Sequence, residues 1–215
     1  MGDTDERNRE KEYIMESNFK KSKTKDNLMR AFAGESQARN RYTFAASQAK
    51  KDGLPVISAI FAYTASQEKE HAEIFYNHLK EMAGETIFID GGYPIDISED
   101  IGSLLDMAQH NEYEEHDDVY QAFGEMARKE GFEKIAASFF QIAEIEKIHG
   151  DRFGRYGKWL KEGKLFVSDV SVEWMCLNCG YVYKGTNAPA VCPVCRHERG
   201  YFIRFEFSPY EGETR

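Results

Sequence analysis

The stretch Glu68-Lys-Glu-His71 is matched 78 residues later by Glu146-Lys-Ile-His149. A Glu and a His three positions apart lie on one face of a helix, where they can bind one metal ion together. One such pair is weak evidence, because both residue types are common on solvated helix faces. Two pairs, each inside a long helical pattern, indicate a pair of metal ions held between helices.

Apolar residues recur at helical spacing through the first three quarters of the chain. The pattern predicts four long helices, at about 24–51, 55–82, 101–130 and 132–160. Short links separate the first two and the last two, whereas the middle connection, 84–100, is long. This arrangement is typical of a ferritin-like four-helix bundle with one crossover. A helical solenoid fits less well, because no repeat of about 34 to 45 residues is present.

Composition divides the chain into three parts. Residues 1–22 are almost entirely polar and charged and are predicted to form a lead-in to the bundle, which occupies 23–163. From 164 to 215 the sequence is rich in Val, Tyr, Phe, Gly and Pro, which predicts short strands in a small second domain. The predicted fold class is therefore mainly α, followed by a small β-rich domain.

Charge and hydropathy exclude some functions. The 215-residue chain has a net charge of −9, which argues against a nucleic-acid partner. The N-terminus lacks the apolar segment of a secretory signal, and no apolar run approaches the ~18 residues that a membrane-spanning helix needs. We therefore expect a cytoplasmic protein with no membrane partner.

The 78-residue repeat extends beyond the two metal-binding pairs. It also carries Tyr42 to Tyr120, so the halves resemble duplicated helix hairpins. The equivalent of Glu35 would be position 113, but the acids there are Glu112 and Glu115. One helix thus contains an extra residue relative to its twin, which predicts a π-bulge near 112–120.

The candidate metal ligands lie on apolar helix faces. An isolated Glu is usually solvated, but a carboxylate among apolar neighbours is too costly to bury unpaired. Five carboxylates and two imidazoles suit two divalent metals, with iron favoured over manganese, and match the pattern described for di-iron bundles. The inward set is Glu35, Glu68, His71, Glu112, Glu115, Glu146 and His149.

Four cysteines form a second candidate metal site. Cys176, Cys179, Cys192 and Cys195 make two C-x-x-C pairs separated by twelve residues. Two such turns can place four thiolates around one tetrahedral ion. Zinc is the more frequent answer for this spacing alone, whereas a neighbouring di-iron site favours a redox-active iron.

The chain resembles the rubrerythrin family over about residues 24–207. The stretch Ala33-Gly-Glu-Ser-Gln-Ala-Arg-Asn-Arg-Tyr42 resembles the first ligand helix of that family, and the family's other motifs are also matched in this chain. The resemblance implies a ferritin-like di-iron bundle followed by a rubredoxin-like iron–tetrathiolate domain. The motifs that match the other ligand helices and the rubredoxin-like domain are Gln67-Glu-Lys-Glu-His71, Glu112-Tyr-Glu-Glu115, Glu146-Lys-Ile-His149 and the Cys176–Cys195 segment.

The resemblance also implies a role for each ligand. Glu68 and Glu146 would bridge the irons, Glu35 and Glu112 would be terminal ligands, and His149 would bind one iron. The other iron would shift between His71 when reduced and Glu115 when oxidised. Tyr42 and Tyr120 would hydrogen-bond to ligand carboxylates, although both also fit as ordinary core tyrosines.

The implied function is a non-haem di-iron peroxidase, an oxidoreductase that reduces hydrogen peroxide to water in oxidative-stress defence. Electrons would pass through the four-cysteine iron from a rubredoxin or an NAD(P)H-linked reductase. A homodimer is implied, with or without exchange of helices between chains. Two alternatives stay open: an iron-handling ferroxidase, and a non-catalytic metal scaffold with a structural zinc ribbon.

Overall fold

The computed structural model describes residues 18–208. A π-helical segment, Glu115–Val119, joins the third and fourth α-helices, so the described chain contains the four long helical stretches expected from its periodicity. The predicted lead-in comprises residues 1–22, and its residues 1–17 lie outside the described range. The α-helices are α1 (Lys23–Lys51), α2 (Pro55–His78), α3 (Ile101–Glu114), α4 (Tyr120–Lys129) and α5 (Glu133–Lys161).

The π-helical segment confirms the bulge predicted from the one-residue slip of the repeat. The backbone N–H of Tyr120 donates to the carbonyl of Glu115, five positions earlier, which is the π pattern. The wide turn absorbs the extra residue, so the helix keeps its inward face on both sides. Glu112 and Tyr120, one on each side of the segment, are both buried.

The duplicated hairpins end their first helices in the same way. Gly53 and Gly131 have φ values of 70° and 86°, a left-handed conformation that glycine adopts without strain. The residues that follow donate backbone hydrogen bonds to Ala49 (2.9 Å) and Ala127 (2.8 Å). This is the Schellman arrangement, and it satisfies carbonyls that the helix end would leave without donors.

The chain forms two compact units, each assembled from segments of several helices. In the described range, the first unit contains 18–40, 65–95 and 110–150, and the second contains 41–64, 96–109 and 151–208. The core of the first unit is apolar and aromatic. It includes Leu28, Phe75, Tyr120, Phe139 and Ala143, all buried.

Within the first unit, the crossover after α2 is held against α1 by an ion pair and hydrogen bonds. Arg30 Nη2 contacts Asp90 Oδ1 at 2.6 Å, and Arg30 Nε donates to the Asp90 carbonyl at 2.9 Å. The hydroxyl of Tyr93 donates to the Arg30 carbonyl at 3.1 Å. The crossover therefore runs against the helix that carries Glu35.

The second unit contains the sheet. Its three antiparallel strands, β1 (Val167–Cys176), β2 (Val182–Asn187) and β3 (Phe202–Arg204), lie in the order β2-β1-β3. Trp174 on β1 is fully buried, and its indole N–H donates to the Gly185 carbonyl at 2.9 Å. Its core neighbours include Cys176, Cys192 and Phe202, so two cysteines belong to the apolar core.

Candidate metal centres

A cluster of carboxylates and imidazoles lies inside the first unit. Each of the four long helical stretches contributes to it, because the apolar faces that drive helix packing also carry these polar residues inward. The ligand atoms form two groups, each within 4.8 Å. The first group is Glu35, Glu68, His71 and Glu146, and the second is Glu68, Glu112, Glu146 and His149, all of them buried.

Glu68 and Glu146 belong to both groups, and each presents one oxygen to each histidine. His71 Nδ1 lies 3.1 Å from Glu68 Oε2 and 2.9 Å from Glu146 Oε1. His149 Nδ1 lies 3.0 Å from Glu68 Oε1 and 2.9 Å from Glu146 Oε2. The two imidazole rings are stacked, 5.6 Å apart between centroids. This symmetry provides two adjacent positions for ions, with two carboxylates shared between them.

The donor atoms of the cluster fit metal ions better than they fit one another. Both oxygens of Glu68 and of Glu146 are buried, as are Nδ1 of His71 and of His149, and the close contacts among these atoms do not have hydrogen-bond geometry. Buried polar groups without partners are costly and need an explanation. Carboxylate oxygens and imidazole nitrogens that converge in this way are the ligands of iron in ferritin-like bundles.

The carboxylates at the two ends of the cluster resist ionisation without a metal. Burial, followed by the charges of Glu146 and other nearby carboxylates, raises the pKa of Glu35 well above its usual value. Burial and the charge of Glu68 raise the pKa of Glu112 to about 8. Divalent cations would replace the protons that these groups otherwise hold.

The central groups are charged instead. Burial disfavours the charged form of both histidines, but their carboxylate contacts outweigh it and raise the pKa of His71 to about 9 and of His149 to about 12. Burial is likewise outweighed at Glu146, where contacts with both histidines lower the pKa to about 2. In the protein without metal, imidazolium cations therefore neutralise the Glu146 carboxylate.

Three residues of the predicted site, Glu115, Tyr120 and Tyr42, lie outside the two groups of ligand atoms. Glu115, the first residue of the π-helical segment, is partly exposed and lines a cavity beside Tyr120. Tyr120 donates a hydrogen bond to Glu35 Oε1. The ring of Tyr42 packs on Phe61 and Phe153, and its predicted hydrogen bond to a ligand carboxylate stays a prediction.

The four cysteines converge in the second unit as free thiols whose sulfurs lie within 4.8 Å of one another. Sγ of Cys176 is 3.7 Å from that of Cys195, and the same distance separates Cys179 from Cys192. Each close pair joins one C-x-x-C turn to the other. The arrangement encloses a position for one tetrahedral ion.

The two cysteine turns have equivalent backbones. Gly180 and Arg196, which follow the second cysteine of each turn, both have left-handed φ values, of 76° and 64°. Their N–H groups donate to the carbonyls of Cys176 (2.8 Å) and Cys192 (3.0 Å). Arg196 was not predicted from the sequence, although its position after the second C-x-x-C was the available signal.

Comparison with known proteins settles the family. A model of the family described as rubrerythrin matches residues 26–156, and one described as the rubredoxin-like domain of rubrerythrin matches 174–203. The chain belongs to the rubrerythrin family. Rubrerythrin from Clostridium perfringens is 43% identical over 189 residues, which cover 87% of this chain and 97% of that protein.

Two solved structures have a similar fold. Nigerythrin in its fully reduced, all-ferrous state matches with a TM-score of 0.57 at 28% identity, over 86% of this chain and 90% of that one. The Desulfovibrio desulfuricans bacterioferritin matches with a TM-score of 0.60 at 22% identity, over 70% and 85%. The likeness confirms the predicted ferritin-like fold, followed here by a small three-stranded domain.

The family assignment confirms the expected cofactors. The buried cluster is a ferritin-like di-iron site, and the four cysteines belong to a rubredoxin-like domain, which favours iron over zinc there. Rubrerythrins are generally oxidoreductases. In the described part of the chain, no helix has the length and apolar character needed to span a membrane. The domain boundaries at 22 and 163 stay predictions.

Proposed function

We propose that this protein is a cytoplasmic peroxidase that reduces hydrogen peroxide to two waters, consuming two electrons and two protons. The single observation that carries the proposal is the pair of overlapping ligand groups that share Glu68 and Glu146. Two adjacent metal positions suit a reaction that needs two electrons at one O–O bond. Membership in a family of oxidoreductases with a second iron site supports the same conclusion.

The proposed ligands follow the two groups. Glu35 and His71 would hold one iron, and Glu112 and His149 the other. Glu68 and Glu146 would bridge them, because each already directs one oxygen to each histidine. When bound, the two ferrous ions supply the two electrons for O–O cleavage.

Tyr120 has a positioning role in this proposal. Its hydroxyl donates to Glu35 Oε1, while Oε2 of the same carboxylate is buried without a hydrogen-bond partner. The tyrosine therefore fixes which oxygen is available to a metal. Because both side chains are fully buried, this hydrogen bond is shielded from exchange with water.

Glu115 is proposed as the ligand of the oxidised state. The π-helical segment places it outside the ligand groups but close enough for its charge to raise the pKa of Glu35. A carboxylate would offset the added charge of an oxidised iron better than neutral His71 does. The proposed exchange between these two ligands thus has an electrostatic cause.

The four-cysteine site is proposed to deliver electrons singly to the cluster. Two of its cysteines are buried in the domain core, whereas Cys179 is exposed and offers an entry point for a donor. The proposed donor is a rubredoxin or an NAD(P)H-linked reductase. We further propose a homodimer, with exchange of helices between the chains as one way to assemble it.

Rapid mixing of the reduced, iron-loaded protein with hydrogen peroxide tests the proposal. We expect oxidation faster than with an equal concentration of dioxygen. Slow oxidation by peroxide together with faster oxidation by dioxygen would instead indicate a ferroxidase. Size-exclusion chromatography separates a dimer from a ferritin-like cage, and a red absorption band in the oxidised protein separates iron from zinc at the cysteines.

A further inference from the structure

A cavity of about 270 Å³ lies between the crossover and the metal cluster, entirely within the first unit. Its outer side is formed by crossover residues, including Gly91 and Tyr93. Its inner side is formed by Tyr120 and Glu115. Because Tyr120 contacts Glu35 directly, a single side chain separates the cavity from the cluster.

The ring of Tyr93 is seated between two glycines. A Cβ added at Gly34 on α1 would lie 3.7 Å from Tyr93 Cε1, and one at Gly91 would lie 3.0 Å from its hydroxyl oxygen. The absence of side chains at both positions lets the ring approach the helix closely. The hydroxyl bond to the Arg30 carbonyl then fixes it at the edge of the cavity, with 39% of the residue exposed.

The remaining walls are suited to a small polar molecule. Gln37, Asn111 and Glu114 contribute polar groups, and Phe123 and Val119 contribute an apolar side. Hydrogen peroxide can both donate and accept hydrogen bonds along such a wall. A bulky organic hydroperoxide must in addition displace the Tyr93 ring, which its hydrogen bond to the Arg30 carbonyl holds in place.

We propose that this cavity is the route by which peroxide reaches the cluster, and that Tyr93 is the residue that restricts it to hydrogen peroxide. The inference rests on the proposed peroxidase function and deepens it by naming the route of the substrate and the residue that limits substrate size. Tyr93 is a specificity-determining residue in this account. It limits access and takes no part in O–O cleavage.

The test compares Tyr93→Ala with the unmodified iron-loaded protein. Reduced protein is mixed with hydrogen peroxide or with cumene hydroperoxide, and the ratio of the two second-order rate constants is measured. Opening the cavity should shift the ratio toward cumene hydroperoxide by about tenfold or more, the scale on which pocket size discriminates between substrates. Tyr93→Phe should restore most of the discrimination, because the ring remains.

Ile95→Ala is the matched control. Ile95 lies two residues further along the crossover and is 83% exposed, and it does not line the cavity. The ratio of the two rate constants in Ile95→Ala should equal that of the unmodified protein. An unchanged ratio in Tyr93→Ala would overturn the proposal, as would an equal shift in Ile95→Ala.

Azide binding to the oxidised protein gives a readout without turnover. Its association rate, followed by the absorption of the azide complex, should rise several-fold in Tyr93→Ala and stay unchanged in Ile95→Ala, because Ile95 does not line the cavity. Identical rates in all three proteins would count against this entrance. If the unmodified protein does not react with hydrogen peroxide, the peroxidase function fails, and the azide rates still test the route.

Discussion

Tyr120 donates a hydrogen bond to Glu35, joining two residues 85 positions apart in the sequence. Tyr120 is the first residue after the π-helical segment, and Glu35 is fully buried among the candidate ligands. The contact shows how the one-residue insertion and the metal cluster are connected. The extra residue widens one turn without removing the tyrosine from its place.

Replacing Tyr120 with Phe removes this hydrogen bond and leaves the ring packing on Phe75 and Phe139. We expect two irons to bind still, with oxidation by peroxide slowed by about tenfold, the lower end of the usual effect of losing a partner of a metal ligand. Iron analysis and rapid mixing measure the two quantities. Tyr42→Phe, at the related position of the repeat, is the comparison variant. An unchanged rate of oxidation by peroxide in Tyr120→Phe would contradict the positioning role.

Deleting Asp118 should convert the π-helical segment to regular α-helix. Asp118 is exposed, and removing one residue makes the spacing from Glu112 to Tyr120 equal to that from Glu35 to Tyr42. We expect retained helicity and two bound irons, because the flanking turns keep their faces. The reduction potential should rise, since Glu115 no longer reaches the oxidised site.

Circular dichroism, iron analysis and a redox titration check the deletion. Glu115→Gln is its matched variant, because it removes the carboxylate proposed to bind the oxidised site without altering the backbone. Both proteins should change potential in the same direction. A potential equal to that of the unmodified protein in both would show that Glu115 does not bind the oxidised site.

The metal-free protein should lose stability as the pH rises from about 4.5 to about 9. The pKa of Glu112 is raised from 4.5 to about 8, chiefly by burial, and that of His71 from 6.5 to about 9, because carboxylate contacts outweigh burial. Over this range the folded state binds more protons than the unfolded chain does. Its free energy of unfolding therefore falls with increasing pH, and the contribution is fully present below the unfolded pKa values.

Urea unfolding of the metal-free protein at several pH values measures the slope of the free energy of unfolding against pH. Glu112→Gln should make the slope shallower, because one of the groups that retain a proton is gone. Iron-loaded protein should not show the same loss, since metal ions take the place of the protons. A metal-free protein that becomes more stable toward pH 9 would contradict the prediction.

Removing the ion from the four-cysteine site should loosen the sheet domain. Its core contains Cys176 and Cys192 beside Trp174, so any rearrangement of these cysteines after the ion is removed disturbs the packing of the core. We expect the Trp174 emission to shift to longer wavelength after chelation, because the indole becomes exposed. Trp159→Phe removes the other tryptophan, and an unchanged emission in that background would show that the fold does not depend on the ion.

Replacing Gly200 with Ala should destabilise the second unit. The added Cβ would lie 2.2 Å from the Gly53 carbonyl oxygen and 2.8 Å from Pro55 Cδ, neither of which can move easily. We expect a loss of about 1–3 kcal/mol, the usual cost of overpacking. Gly92→Ala is the control, because nothing lies within 4 Å of its added Cβ, and equal unfolding free energies for both variants would contradict the argument.

Much of the candidate site could be predicted because it depends on periodicity. The Glu-x-x-His pairs lie on helix faces whose apolar neighbours determine which side is buried. The bulge was predictable for a related reason. The repeat matches Tyr42 with Tyr120, and a single inserted residue shifts the acids before Tyr120 out of register with Glu35.

Other features depend on which distant residues meet, and periodicity contains no such information. Helical spacing directed Glu115 inward with Glu112, but the wide turn leaves Glu115 partly exposed at the cavity wall. The left-handed conformation of Arg196 escapes prediction for a different reason. Its position after the second C-x-x-C pair is equivalent to that of Gly180, but an arginine is rarely found in that conformation.

The sequence by itself determined the helices, the π-helical segment, the four cysteines and the two Glu-x-x-His pairs, because each follows from spacing along one element. Only the tertiary structure decided that Glu68 and Glu146 each face both histidines, and that Tyr93 lines a cavity beside Tyr120. Those relationships arise from packing between helices and from the path of an irregular crossover. Neither is encoded in the local period of the chain.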